Sequence, residues 1–228
     1  MLTEFLRLFV PHICPLCGQS MLKTEKVICF SCKHELPETN FHQEPSDNLL
    51  AQNFWGRTQI KYAVAMYYYT KGLRVQKLVH MLKYKHRPEV GVEIGTDYGK
   101  ILKESGIFSD VSYIIPVPLH KKKKRIRGYN QAEAFAQGLS LSMNIPVDTL
   151  TLQRKSFTET QTKKNRFARW KNVSEMFSLI HPENIHNKHV ILTDDVITTG
   201  ATLEACIKEL QKGENVTVSL ISIAVATG

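Results

Sequence analysis

Two stretches of this chain gather side chains whose types and spacing suit chemistry. The first begins with the apolar run Val190-Ile191-Leu192, passes Thr193 and reaches the paired acids Asp194 and Asp195. Val196-Ile197-Thr198-Thr199-Gly200-Ala201-Thr202 follows. The apolar run predicts a buried parallel strand, and Thr202–Lys212 predicts a helix. In open α/β sheets, ligands bind at the carboxyl ends of strands. A helix start offers free N–H groups and a positive dipole end, which suit a phosphate. Thr198, Thr199 and Thr202 add hydroxyl donors, and Gly200 permits a close turn. Two aspartates facing a phosphate would repel it, so they suit a pair of vicinal hydroxyls on a sugar. One Asp would fit a simple helix cap, but the whole set points to a phosphate-sugar ligand.

The second stretch holds Cys14, Cys17, Cys29 and Cys32, four of the five cysteines. The pattern is C-x2-C, eleven residues, C-x2-C. Each pair can form a knuckle that aims two thiolates at one point, and two knuckles supply a tetrahedral Zn²⁺ site. Four thiolates leave no open position for catalysis, so the expected role is structural, folding a segment too short to build its own core. His12 and His34 lie close enough to stand in for a ligand. Two disulfides would need an oxidising compartment. Cys206, inside the predicted helix, reads as a small buried apolar residue.

The elements that must position these groups alternate. Ala63–Tyr69 predicts a strand, and Leu73, Leu78, Met81 and Leu82 continue at helical spacing. A helix is expected around Val92–Leu102, a strand over Val111–Pro118, a basic loop, and a helix over Gln131–Leu141. Leu150–Leu152 and Phe177–Leu179 predict brief strands, and Val216–Ala226 a closing one. Residues 37–57 are polar and read as a linker or irregular connection. Strands alternating with helices predict an α/β fold, a mostly parallel sheet covered by helices. The expected division is residues 1–45, an amphipathic helix with the four-cysteine module, and 55–228, the α/β domain. Leu2, Phe5, Leu6 and Phe9 fall on one face of that first short helix.

Length and composition bound the function. The 228 residues allow one medium domain plus an appendage. Apolar residues make up 43% of the chain, which is ordinary for a globular protein. No apolar run approaches the roughly 20 residues of a membrane helix, so no membrane insertion is expected and a cytoplasmic location is. The net charge of +9 suits an anionic ligand or a polyanionic partner, and equally a merely basic protein.

With these residues in view, Val190–Thr202 resembles the phosphoribosyl pyrophosphate motif of type I phosphoribosyltransferases. The resemblance implies that Asp194 and Asp195 bind ribose hydroxyls, and that Thr198, Thr199, Gly200, Ala201 and Thr202 wrap the 5′-phosphate. Thr193 stands where an apolar residue is usual. Further segments resemble one branch, the ComF family of competence-associated proteins. They are Ile115-Pro116-Val117-Pro118-Leu119-His120 with Arg127-Gly128-Tyr129-Asn130-Gln131-Ala132-Glu133, and Leu78–Tyr84 ending in LKY. Arg154, Thr158, Gln161 and Arg166 match the same branch, as does the four-cysteine start. The likeness implies a type I phosphoribosyltransferase-like sheet with a zinc-ribbon-like module. It also implies that Pro118, Leu119 and His120 lie near the pyrophosphate, and that residues 153–170 form a loop closing over the ligand. Mg²⁺ would accompany the pyrophosphate as a bridging ion.

Lys121, Lys122, Lys123, Lys124, Arg125 and Arg127 put six cations in seven positions. Such a run is commonly a solvated loop. A second stretch, Lys163–Lys171, interleaves Phe167 and Trp170 among cations, the ingredients of single-strand binding. The ComF resemblance implies handling of single-stranded DNA during transformation, with DNA-uptake proteins as partners. Two functions are therefore expected in competition. One is a binding protein for phosphoribosyl pyrophosphate serving DNA uptake. The other is an active phosphoribosyltransferase with an unknown acceptor.

Overall fold

The structure, a computed structural model, describes residues 12–155 and 176–226. The amphipathic stretch Leu2–Phe9, the basic-aromatic stretch Lys163–Lys171, and Thr158, Gln161 and Arg166 lie outside the described residues.

Four parallel strands form the sheet, in the order β1 (Ala63–Tyr69), β6 (Thr217–Ala226), β5 (His189–Ile197), β2 (Val111–Pro116). The two central strands are the most buried, as strands covered on both faces must be. Eight consecutive residues of β6 are buried. The helices are α1 (Phe30–His34), α2 (Leu49–Gln52), α3 (Arg74–Tyr84), α4 (Pro88–Ser105), α5 (Lys121–Arg127), α6 (Gln131–Met143) and α7 (Ala201–Leu210). The parallel sheet flanked by helices, with a four-cysteine cluster toward the amino end, is the architecture expected above. Among the described residues no helix is long and apolar enough to cross a membrane.

Helix α6 packs on β2 and β5 and against α4. The α4–α6 contact is backbone on backbone. A Cβ on Gly95 would sit 2.3 Å from the Phe135 carbonyl oxygen, and one on Gly138 would sit 2.2 Å from that of Val92. Only glycine permits this approach. Helix α7 packs on β5 and on a small antiparallel pair, β3 (Leu152–Arg154) with β4 (Phe177–Leu179).

Two expectations need correction. The basic run is not a loop. Lys121–Arg127 forms the short helix α5, begun where His120 Nδ1 accepts from the Lys122 amide at 3.1 Å and ended at Gly128 with φ +78°. The caps prevail over like-charge repulsion along the helix, and none of its residues is buried.

Of the two readings of 37–57, the irregular connection holds and the linker does not. Phe41, Leu50, Ala51 and Phe54 are buried in the same core as the sheet. The segment bonds along the outer edge of β1: Thr39 to the Met66 carbonyl, Tyr68 to the Pro37 carbonyl, and Ala63 to the Pro45 carbonyl. Asn48 accepts from the Leu50 and Ala51 amides to start α2, and donates to the Ala63 carbonyl. At the opposite edge, Ile114 of β2 exchanges bonds with Pro146 and Asp148.

Candidate functional site

Strand β5 runs further than the apolar run suggests, through both acids to Ile197, with Asp194 opposite Ser222 of β6. Successive side chains on a strand face opposite ways. Asp194 and Asp195 therefore diverge at the carboxyl end of the central strand. Asp195 is buried and ion-paired with Lys83 of α3, Nζ to Oδ1 at 2.9 Å. Asp194 Oδ1 accepts from the Asp195 amide at 2.8 Å. Burial, together with the neighbouring Asp195 charge, pushes the Asp194 carboxyl up to about 7, against the pull of Lys83 and Arg127.

Beyond the acids the chain turns through exposed Thr198 and Thr199 to buried Gly200, at φ +73°, and enters α7 through exposed Ala201 and half-buried Thr202. The N-cap residue of α7 is Gly200 itself, so that position offers the first amides of the helix no side-chain acceptor. The turn is held from beneath by the segment read as a linker. A Cβ on Gly200 would lie 2.8 Å from Phe54 Cζ. Arg57 donates to the Thr199 carbonyl at 3.1 Å and to that of Asn53 at 3.0 Å, and pairs with Glu204 of α7.

Two neighbouring strands bring further groups. After β2, the Val117 amide donates to the Thr193 carbonyl at 2.9 Å, and Asn130 Nδ2 donates to the Val117 carbonyl at 3.0 Å. This fixes half-buried Pro118, Leu119 and His120 beside the end of β5. From β3, Arg154 lies over the Phe177 ring, within electrostatic reach of Asp194 and His120. Burial and the Arg154, Lys122 and Lys123 charges hold the His120 imidazole below its usual range. Arg127 separates from the rest of the cationic run. It is half-buried, bonds to Gln131 Oε1 at 2.7 Å, stacks on Tyr84 and acts electrostatically on Asp194. Lys121 to Arg125 are exposed. The expected residues at Pro118–His120 and Asp194–Thr202 thus sit together. Lys83, Phe54 and Arg57 join them without having been expected; of these, only the basic LKY ending of α3 carried a sequence signal.

The four cysteine sulfurs all lie within 4.8 Å of one another, and no disulfide joins them. Tetrahedral zinc with Zn–S near 2.3 Å places its sulfurs roughly 3.8 Å apart, so the donor set fits a closed metal site such as that of zinc. Neither His12 nor His34 belongs to the group. Burial raises the Cys14 thiol, but the amides of Cys29, Cys17 and Leu16 outweigh it and bring it down to about 6. Burial drives Cys32 upward instead. Ionising all four sulfurs at this spacing would need a cation between them. Buried Glu25 shapes the second knuckle, accepting from the Leu22 amide at 2.5 Å and the Phe30 amide at 2.6 Å. Ion pairs Lys33–Asp97 and Arg74–Glu35 tie the module to α4 and α3.

Two other features lie apart from this site. Ser219, His189 and Asp110 form a bonded series, 2.8 Å and 2.9 Å, at the amino ends of the strands. Ser219 is fully buried and also accepts from the Tyr62 amide, so the series is a tether and not a nucleophile. A cavity of about 460 Å³ lies beside Ala51, Trp55, Thr58 and Tyr62 and holds none of the expected residues. Cys206 is fully buried in α7.

Fold and site together define an α/β protein, a parallel sheet flanked by helices with an amino-proximal four-cysteine cluster. No family model matches the chain. It is similar to curated proteins named for DNA utilization and competence. It is 27% identical over 214 residues to DNA utilization protein YhgH of Shigella flexneri, covering 91% of this chain and 88% of that one. It is 26% identical over 217 residues to competence protein ComFC of Bacillus subtilis, covering 89% and 86%. Over 100 residues it is 41% identical to competence protein F of Haemophilus influenzae, covering 43% and 44%. Among solved structures, glutamine phosphoribosylpyrophosphate amidotransferase of B. subtilis superposes with a TM-score of 0.42 at 19% identity, covering 62% of this chain and 30% of that one.

Proposed function

We propose that the chain binds phosphoribosyl pyrophosphate at the carboxyl end of β5 and acts in the handling of single-stranded DNA during uptake. One observation carries the ligand reading: paired acids run directly into an uncapped helix start through a glycine in the left-handed region. Asp194 and Asp195 would take the ribose hydroxyls. Thr198, Thr199, Gly200, Ala201 and Thr202 would take the 5′-phosphate, and Pro118, Leu119 and His120 would border the pyrophosphate. Mg²⁺ would travel with the pyrophosphate. The cysteines would hold one structural zinc. The names of the relatives, DNA utilization protein and competence protein, support a DNA role; the same reading puts the chain in the cytoplasm, alongside DNA-uptake proteins. The exposed cations Lys121, Lys122, Lys123, Lys124 and Arg125 of α5 would contact the strand, with Arg127 turned toward the sugar site.

Isothermal titration with phosphoribosyl pyrophosphate tests the ligand. Saturable binding lost in the Asp194→Ala, Asp195→Ala variant supports it, and no binding by the folded wild type refutes it. A second reading, transfer of the phosphoribosyl group to an acceptor, draws on Asp194. A carboxyl raised to about 7 can exchange a proton near neutral pH. Pyrophosphate release against a panel of acceptors tests it, and release no faster than slow hydrolysis counts against it.

A further inference from the structure

Lys83 is placed to join two parts of one ligand. It lies in the last turn of α3, and its ammonium pairs with Asp195 at 2.9 Å where both side chains are mostly shielded from water. The backbone that carries it is fastened to the site from both sides. Tyr129 donates its hydroxyl to the Leu82 carbonyl, Arg127 stacks on the Tyr84 ring, and the His86 ring bonds the Arg127 carbonyl at 3.0 Å. The backbone anchors therefore hold Lys83 at the edge of the acid pair. A sugar hydroxyl is a neutral donor. To reach Asp195 in full it must displace a cation, and a displaced cation needs another anion.

We propose that Lys83 couples recognition of the sugar hydroxyls to recognition of the pyrophosphate, leaving Asp195 only for a ligand that offers it an anion in exchange. The inference rests on the phosphoribosyl reading above and makes Lys83 a specificity-determining residue. A ribose 5-phosphate presents the hydroxyls without the pyrophosphate and must break the ion pair uncompensated. The full ligand exchanges one anion for another. The cost is that of one charge-assisted hydrogen bond, about 10- to 100-fold in affinity.

The test titrates wild type, Lys83→Met and Lys83→Arg with phosphoribosyl pyrophosphate and with ribose 5-phosphate, alongside thermal melts. Lys83→Met should leave the first ligand nearly unchanged and tighten the second about 10- to 100-fold, collapsing the preference; Lys83→Arg should restore it. Equal losses for both ligands at unchanged melting temperature overturn the proposal. Should Lys83→Met fail to fold, a second pair of variants decides. Asp195→Asn releases Lys83 and should tighten binding of inorganic pyrophosphate. The double variant Lys83→Met, Asp195→Asn leaves no unpaired charge and should show no such gain. A gain in both overturns the proposal. A wild type that binds neither sugar phosphate defeats the phosphoribosyl reading and this inference with it. A wild type that binds both, with a preference unmoved by Lys83→Met, defeats this inference alone.

Discussion

Replacing Gly200 by alanine should cost about 3 kcal/mol of stability, from two separable sources. The first is backbone. Gly200 sits at φ +73°, where an L side chain adds ~1–2 kcal/mol of strain. The second is steric. The new methyl would meet Phe54 Cζ at 2.8 Å and Cε1 at 3.1 Å, and Phe54 is fully buried. Overpacking of this kind costs ~1–3 kcal/mol. For a chain of this size the sum corresponds to a melting temperature lowered by ~6–12 °C. The two sources separate in a double-mutant cycle. Phe54→Leu removes the ring atoms that the methyl would strike, so Gly200→Ala in that background should cost only the strain, ~1–2 kcal/mol. Urea unfolding of the four proteins measures the coupling. Strict additivity, or a Gly200→Ala cost below ~1 kcal/mol, would refute the reasoning. In either case Phe54 would not be the floor of the turn.

Other outcomes follow from the same geometry. Cys14→Ser or Cys29→Ser should lose the bound metal, about one zinc per wild-type chain by elemental analysis; full retention in either would sink the four-sulfur site. The Asp194 carboxyl titrates higher folded than unfolded because burial and Asp195 penalise its charge. The folded state then holds the extra proton, so stability should fall as pH rises from about 4 to about 7. Asp194→Asn should flatten that slope in denaturation curves taken across the window, and an unchanged slope would assign it elsewhere. Neutralising Lys121–Lys124 and Arg125 should weaken single-strand binding at low salt and reduce its salt dependence; binding indifferent to the change removes α5 from the interface.

What the sequence discloses and what it conceals follow a physical line. Strand β5, the turn and α7 announce themselves because their residues are contiguous and their patterns are strong. The cysteine knuckles do so because ligand spacing is local. The glycines at 95 and 138 show their purpose only once two helices touch. Phe54 and Arg57 lie more than 140 residues from the turn they support, and a contact between such distant positions leaves no local period. Lys83 looked like one more basic residue at a helix end until Asp195 appeared beside it. The α5 run was misjudged because its composition is that of a solvated loop, while its caps, His120 and Gly128, lie just outside it.

The segment at 37–48 gives metal loss a second meaning. It occupies the open hydrogen-bonding margin of β1, meeting Ala63, Met66 and Tyr68 and forming an antiparallel bridge between Glu38 and Tyr67. Just upstream lie α1 and the second cysteine knuckle, tethered to α3 and α4 through Glu35 and Lys33. A chain stripped of its metal would loosen this strap and bare an apolar margin ready to accept a strand from a neighbouring copy. With a metal bound as proposed, the module would also guard against self-association, and a chelated sample should aggregate by edge-to-edge pairing before its parallel sheet melts.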